Sequence, residues 1–331
     1  MSEAIMRSEL PLGEQGRVVL PVTLFQQQNL LFNRELSWLE FNRRVLEEGQ
    51  DPALPLLERL NFLSIFSTNL DEFFMIRVSG LKQQIEANVT ELSPDGLAPA
   101  AQLEQISEGL RPMITQQMRC LNEEVLPALA SQGIIVTPVR ALSDRERRSL
   151  SGYFMENVFP VLTPLAVDPS HPFPYISGLS LNLGVKVEPC GDLAEPESAP
   201  DGPRFARIKI PPVVRRLVPI DGREGEFVLL EDLVSSNIEA LFPGRKVSEC
   251  HVFRVTRDAD FEITGAEAND LLRTIEAELQ KRRFGDCVRL EVSSSMPDEM
   301  VQFLASSMEL SPNDVYAIDG IVSISGLMGL Y

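Results

Sequence analysis

Apolar residues recur at intervals of three and four through the first third of the chain and at intervals of two in several later stretches. The helical period is clearest where Leu56, Leu60, Leu63, Leu70, Phe74, Leu81 and Ile85 form one stripe, which predicts a long amphipathic helix from about Pro55 to Asn88. A neighbouring stripe of Phe62, Phe66, Phe73 and Ile76 carries a polar residue, Asn69, at the matching spacing. Upstream, Asn33 is a good N-cap for a helix bearing Leu36, Leu39, Phe41, Val45 and Leu46, which Gly49 and Pro52 close. Leu103, Ile106, Leu110, Met113, Ile114, Met118, Leu121 and Val125 predict a third helix over about 100–131, with Pro112 inside it and Gly133 after it. Three helices joined by short turns make an antiparallel bundle.

Past residue 135 or so the period changes. A helix over about 144–159 is followed by predicted strands at 179–188, 204–211, 227–230, 247–256 and 288–293, with helical segments near 230–242, 266–284 and 297–308. Strands and helices mixed without strict alternation imply an α+β region with a mixed, largely antiparallel sheet. The expected division is a flexible tail over 1–27, an all-α N-terminal helical domain over 28–135 and an α+β head over 136–331. Residues 189–203, acidic and rich in Pro, Gly and Ser, are expected to form an exposed loop. The stretch 321–331 is apolar with no polar closing segment, as though cut from something longer.

Length and charge narrow the functional classes. A chain of 331 residues exceeds the usual single domain. Its net charge of −18 repels nucleic acid and anionic membranes, which argues against non-specific binding to either. No transmembrane segment is expected, since no apolar run approaches the ~20 residues needed to cross a bilayer, and the first residues do not form a signal peptide. A cytoplasmic location is expected, compatible with membrane association as a complex. The four cysteines make no metal or redox motif and are expected as free thiols; Cys250 and His251, adjacent on a strand, point to opposite faces.

Catalytic constellations are scarce. There are two histidines and no phosphate-binding glycine loop, nucleophile elbow or zinc-protease motif. His171 sits among prolines with no neighbour to orient its ring, and His251 is expected in the core beside Phe253 and Val255. Of the basic clusters, Lys281 to Arg283 closes a helix, and Arg254 and Arg257 are expected to pair with Asp258 and Asp260 in a turn. Arg204, Arg207, Lys209, Arg215 and Arg216 are the best candidate for a one-sided basic patch, although a solvated sheet face is the reading favoured for them. Asn69 is ambiguous. An unpaired buried amide costs about 1–3 kcal/mol, so it needs a structural partner or a ligand. Thr68 to Asp71 matches a capping box, which would restart the helix with Asn69 merely packing in its first turn. The other reading sets its amide against a purine edge. Spacing alone favours the cap.

Taken together, residues 33–41 with 60–78, then 168–183, 205–211, 227–242, 253–261, 282–292 and 314–320, resemble in order the polyphosphate kinase family. The resemblance implies a four-part enzyme that passes the terminal phosphate of ATP to polyphosphate through a phosphohistidine in its third part, with Mg²⁺ assisting. It implies ATP/ADP and polyphosphate as partners and a homodimer or higher homo-oligomer formed through the head. The family's Asn-Leu-Asp-Glu motif, whose Asn contacts ATP, matches Asn69 to Glu72. Neither His171 nor His251 matches the phosphohistidine. The expectation is a portion that supplies nucleotide contact and subunit pairing, lacks the C-terminal catalytic domains and is inactive alone. The alternative is a non-catalytic assembly module.

Overall fold

The computed structural model describes residues 31–167, 173–189, 204–259 and 285–330. Helix α1 (Arg34–Gln50) begins where Asn33 Oδ1 accepts the N–H groups of Glu35 and Leu36 at 3.0 and 3.1 Å, as its cap position predicts. Its buried face runs through Glu35, Leu39, Asn42, Leu46 and Gly49. Phe41 was expected on the apolar face, but it lies two residues past Leu39 and so turns outward, 49% exposed. A Cβ on Gly49 would meet Leu63 Cδ2 at 2.8 Å, so this glycine sets how closely α1 approaches α2 (Leu56–Glu72).

The predicted helix over 55–88 is continuous. From α2 the chain passes through a π-helical turn (Phe73–Val78) into α3 (Ser79–Glu86). The capping reading is overturned: no helix restarts at Thr68, whose Oγ1 donates back to the Ser64 carbonyl at 3.1 Å within α2. The wider turn adds a residue to the helical register. Phe73 and Phe74 are both buried there, Phe73 stacked on Trp38 and Phe74 edge-on to Tyr316. Helix α4 (Pro99–Cys120), a second π turn (Leu121–Val125) and α5 (Leu126–Ser131) complete the bundle.

The rest is α+β. After β1 (Ile135–Val136) and α6 (Asp144–Tyr153) come β2 (Leu165–Val167), β3 (Leu181–Pro189), β4 (Arg204–Lys209), β5 (Leu217–Pro219) and β6 (Glu226–Leu229). Then follow α7 (Leu230–Ser236), β7 (Arg245–Arg257), β8 (Cys287–Ser293), α8 (Asp298–Ser307) and β9 (Val315–Ile318). The larger sheet has the order β2-β4-β3-β7-β8-β9, antiparallel except at β8–β9, and a small sheet has the order β1-β6-β5. β1, β2, β5 and β9 escape the strand pattern because at two to four residues they are too short to display a period. The tail, residues 190–203, the helix predicted over 266–284, His171, Asp260 and Lys281 to Arg283 lie outside the described residues.

The bundle core does not end with the bundle. It takes in Val288 of β8, Tyr316 and Ile318 of β9, and Val322, Ile324 and Leu327. The apolar stretch after residue 321 therefore has a place: a 3₁₀ segment (Ile324–Leu330) packs on α2, and Arg216 donates to the carbonyls of Val322, at 2.7 Å, and Ser323.

One charge cluster joins bundle to sheet. Asp71 of α2 is buried and receives Arg254 of β7, at 2.8 Å from Nη1, and Arg289 of β8. Arg254 also donates to Glu291 at 2.7 Å, its partner across the β7–β8 ladder. Arg289 donates to Thr256, likewise opposite it, and its guanidinium lies 4.5 Å from the Phe74 ring centre. Burial works against the charge on Arg254, but Glu291 and Asp71 outweigh it and its pKa is raised. This corrects the expected turn pairing: Arg254 lies within a strand, facing the bundle, where Asp71 meets it. Arg257 spends its donors on the carbonyls of Ile176 and Gly285 at 2.6 Å each. Replacing Asp71 by Ala strands two buried guanidinium groups beside one carboxylate. The expected loss in urea unfolding is about 3–5 kcal/mol, and a loss below about 1 kcal/mol would show that the cluster does not support the joint.

Candidate functional site

The antiparallel packing of α1 and α2 places Asn42 opposite Asn69. Asn42 is fully buried and donates from Nδ2 to the Phe66 carbonyl at 3.2 Å. A carbonyl only accepts, so this bond dictates the amide's orientation and leaves Asn42 Oδ1 facing α2. Asn69 meets it with Nδ2 at 3.0 Å. The half-buried Asn69 is thereby oriented too: its second Nδ2 proton and its Oδ1 remain, and neither has a partner among the described residues. Trp38 and Phe73, one turn from Asn42 and Asn69 respectively, stack at 4.2 Å between ring centres and 5° between planes. Beside the amides, Phe41, Ile65 and Ile76 are also exposed.

Such a site can recognise. It offers a donor and an acceptor on one amide next to apolar and aromatic surface, which suits the edge of a heterocyclic base. It holds no acid/base pair or nucleophile. Two nearby cations are already engaged, Arg77 with Glu35 at 2.9 Å and Arg43 with Glu40 at 2.8 Å.

The other candidates are not brought to it. His251 is half-buried rather than in the core, because β8 pairs with β7 only from Phe253 onward and leaves His251 flanked by β3 alone. Its Nδ1 lies 3.3 Å from Ser295 Oγ, and burial lowers its pKa against an opposing effect of Glu249. Cys120, Cys250 and Cys287 are free thiols, all pushed up by burial and so poor nucleophiles. No group of three His, Cys, Asp or Glu side chains suited to a metal occurs among the described residues. The expected solvated face of β4 is also corrected: Arg207 is buried, because Phe173 and Phe303 of α8 pack over Phe205 on the same side. Arg216 is paired with Glu231 at 3.1 Å.

Asn42 escapes sequence reasoning, although its signal is present. It is a polar residue at a position in the α1 stripe where Leu39 and Leu46 are the neighbours, which marks it as needing a buried partner.

Two family descriptions match the chain: the polyphosphate kinase N-terminal domain over residues 31–137 and the polyphosphate kinase middle domain over residues 145–330. Among curated relatives, a polyphosphate kinase of Synechocystis sp. is 48% identical over 318 residues, covering 93% of this chain and 43% of that protein. One of Mycolicibacterium gilvum is 46% identical over 304 residues, covering 90% and 41%. The crystal structure of polyphosphate kinase from Porphyromonas gingivalis superposes with a TM-score of 0.69 at 25% identity, over 90% of this chain and 40% of that one. The chain thus spans about two-fifths of the length of the relatives it matches.

The amide pair has a direct test. Asn42→Asp keeps the shape but removes the donor to the Phe66 carbonyl, and should cost about 1–3 kcal/mol in urea unfolding. Unchanged stability would mean that Asn42 does not donate to the Phe66 carbonyl, and so does not hold its Oδ1 towards Asn69.

Proposed function

The chain belongs to the polyphosphate kinase family, matching its N-terminal and middle domains, and from this we propose that it is the nucleotide-contacting and subunit-pairing portion of an enzyme that transfers the terminal phosphate of ATP to polyphosphate. The phosphohistidine of that reaction belongs to family parts that this chain does not match. In this reading Asn69 contacts the adenine side of ATP or ADP, the α+β head contributes to homodimer or higher homo-oligomer formation, and the enzyme works in the cytoplasm. No helix among the described residues is long and apolar enough to cross a membrane.

The observation that carries the proposal is the orientation of Asn69. An amide held by Asn42 on one edge and left with a donor and an acceptor on the other is pre-organised for a base, and binding then costs little ordering of that side chain. The phosphates need cations and the reaction needs a nucleophile, and the Asn69 site supplies neither, which supports a binding role here with chemistry elsewhere. Mg²⁺ is implied by the family reading; among the described residues no group of three or more His, Cys, Asp or Glu side chains forms a ready-made cage for it, and the Asn69 amide supplies no carboxylate.

In nucleotide titrations, Asn69→Ala should weaken ATP and ADP binding about tenfold, equivalent to ~1.4 kcal/mol, with the fold intact by circular dichroism. Equal affinity in the folded variant would return Asn69 to a packing role. A monomer at all concentrations in sedimentation equilibrium would remove subunit pairing from the proposal.

A further inference from the structure

Four arginines are buried among the described residues: Arg59, Arg207, Arg254 and Arg289. Three have a carboxylate. Arg59 donates to Glu124 at 2.6 Å, and Arg254 and Arg289 share Asp71 and Glu291. Arg207, 6% exposed, has none. Its hydrogen bond runs from Nε to Asn182 Oδ1 at 2.7 Å, and its Nη1 and Nη2 find no acceptor among the described residues.

A second cation lies on the same face of β4. Lys209 reaches Ser177 Oγ at 2.9 Å and forms no ion pair among the described residues. Neutral groups link the two: Ser177 Oγ bonds Ser180 Oγ at 3.2 Å, and Asn182 donates from Nδ2 to the same Ser180 Oγ at 3.1 Å. Lys186 on β3, also on this face, shows the contrast, with Glu299 at 3.1 Å and Glu249 at 3.5 Å. The chain carries 48 acidic and 30 basic residues, yet none of the described acids pairs with Arg207.

An ion held mostly away from water without a counter-charge is costly, and guanidinium does not escape that cost by losing its proton. The Arg207 Nη atoms are not fully sealed, which leaves them open to an anion from solvent. Burial pushes the Arg207 pKa down and no neighbour raises it. We propose that Arg207 and Lys209 form a binding site for a phosphate-type oxyanion on the sheet face that carries α8, away from the bundle. The planar fork of Arg207 suits bidentate contact with a phosphoryl group, and Lys209 adds a point charge. Side chains two apart on a strand start about 7 Å apart, wider than neighbouring phosphoryl groups. An oligophosphate can therefore give one phosphoryl group to the arginine and one further along its chain to the lysine, whereas a single carboxylate would need only the arginine.

Isothermal titration of the chain with inorganic tripolyphosphate near physiological salt tests the site, because the net charge of −18 suppresses diffuse binding. The wild-type chain is expected to bind. Arg207→Met should weaken binding at least about tenfold and Lys209→Met at least about threefold, while Asn69→Ala, which tests the nucleotide reading, leaves it unchanged. Competition by ADP in the Asn69→Ala background would identify nucleotide phosphates as the source; no competition would identify a free oligophosphate. The proposal is overturned if the wild-type chain does not bind tripolyphosphate, or if the folded variants bind as tightly as wild type. Should Arg207→Met fail to fold, unweakened binding by Lys209→Met overturns it alone.

Discussion

The buried cluster of Asp71, Arg254, Arg289 and Glu291 is the constraint on which the arrangement of helices and sheet depends. It contains two cations and two anions in a place that water hardly reaches, and its members come from α2, β7 and β8. No member is stable there alone, since each buried charge is tolerable only beside its opposites. The bundle must therefore sit where Asp71 meets both arginines, and β7 and β8 must keep the register that sets Arg254 against Glu291. Hydrophobic burial supplies most of the driving force but specifies position loosely. The ion cluster specifies it narrowly.

Asn69 inherits that precision. It lies two residues before Asp71 on the same helix, so anchoring Asp71 to the sheet limits how far α2 can slide or rotate. Asn42 then orients the amide, using a helix carbonyl as its reference. The site is set by backbone on one side and by charge on the other, with the Trp38–Phe73 stack filling the space between α1 and the π turn.

Elements with several periods were legible in the chain: α1, α2, α4, β7 and β8 all lie close to where periodicity puts them. What failed was local pattern competing with distant partners. Thr68 to Asp71 has the form of a capping box, but Asp71 is claimed by Arg254, 183 residues away, and the helix runs on. Arg207 alternates with apolar residues as an exposed strand residue would, yet α8 covers that face and packs Phe303 against Phe205. Asn69 was visible as a polar interruption in an aromatic stripe. Its partner was harder to find, because pairing Asn42 with it requires the register of two helices, which neither stripe contains.

The shared core also bears on how the chain acquires its structure. The 3₁₀ segment that seals α2 is made about 250 residues later, so during synthesis part of the bundle's apolar stripe stands open while the whole sheet emerges. The bundle can form early as a loose helical assembly, but its last wall arrives only with Ile324 to Leu330. Such long-range closure slows folding and leaves an adhesive helix surface exposed in the interval. Until that wall is in place the open stripe is the kind of surface on which a partly made chain associates with others.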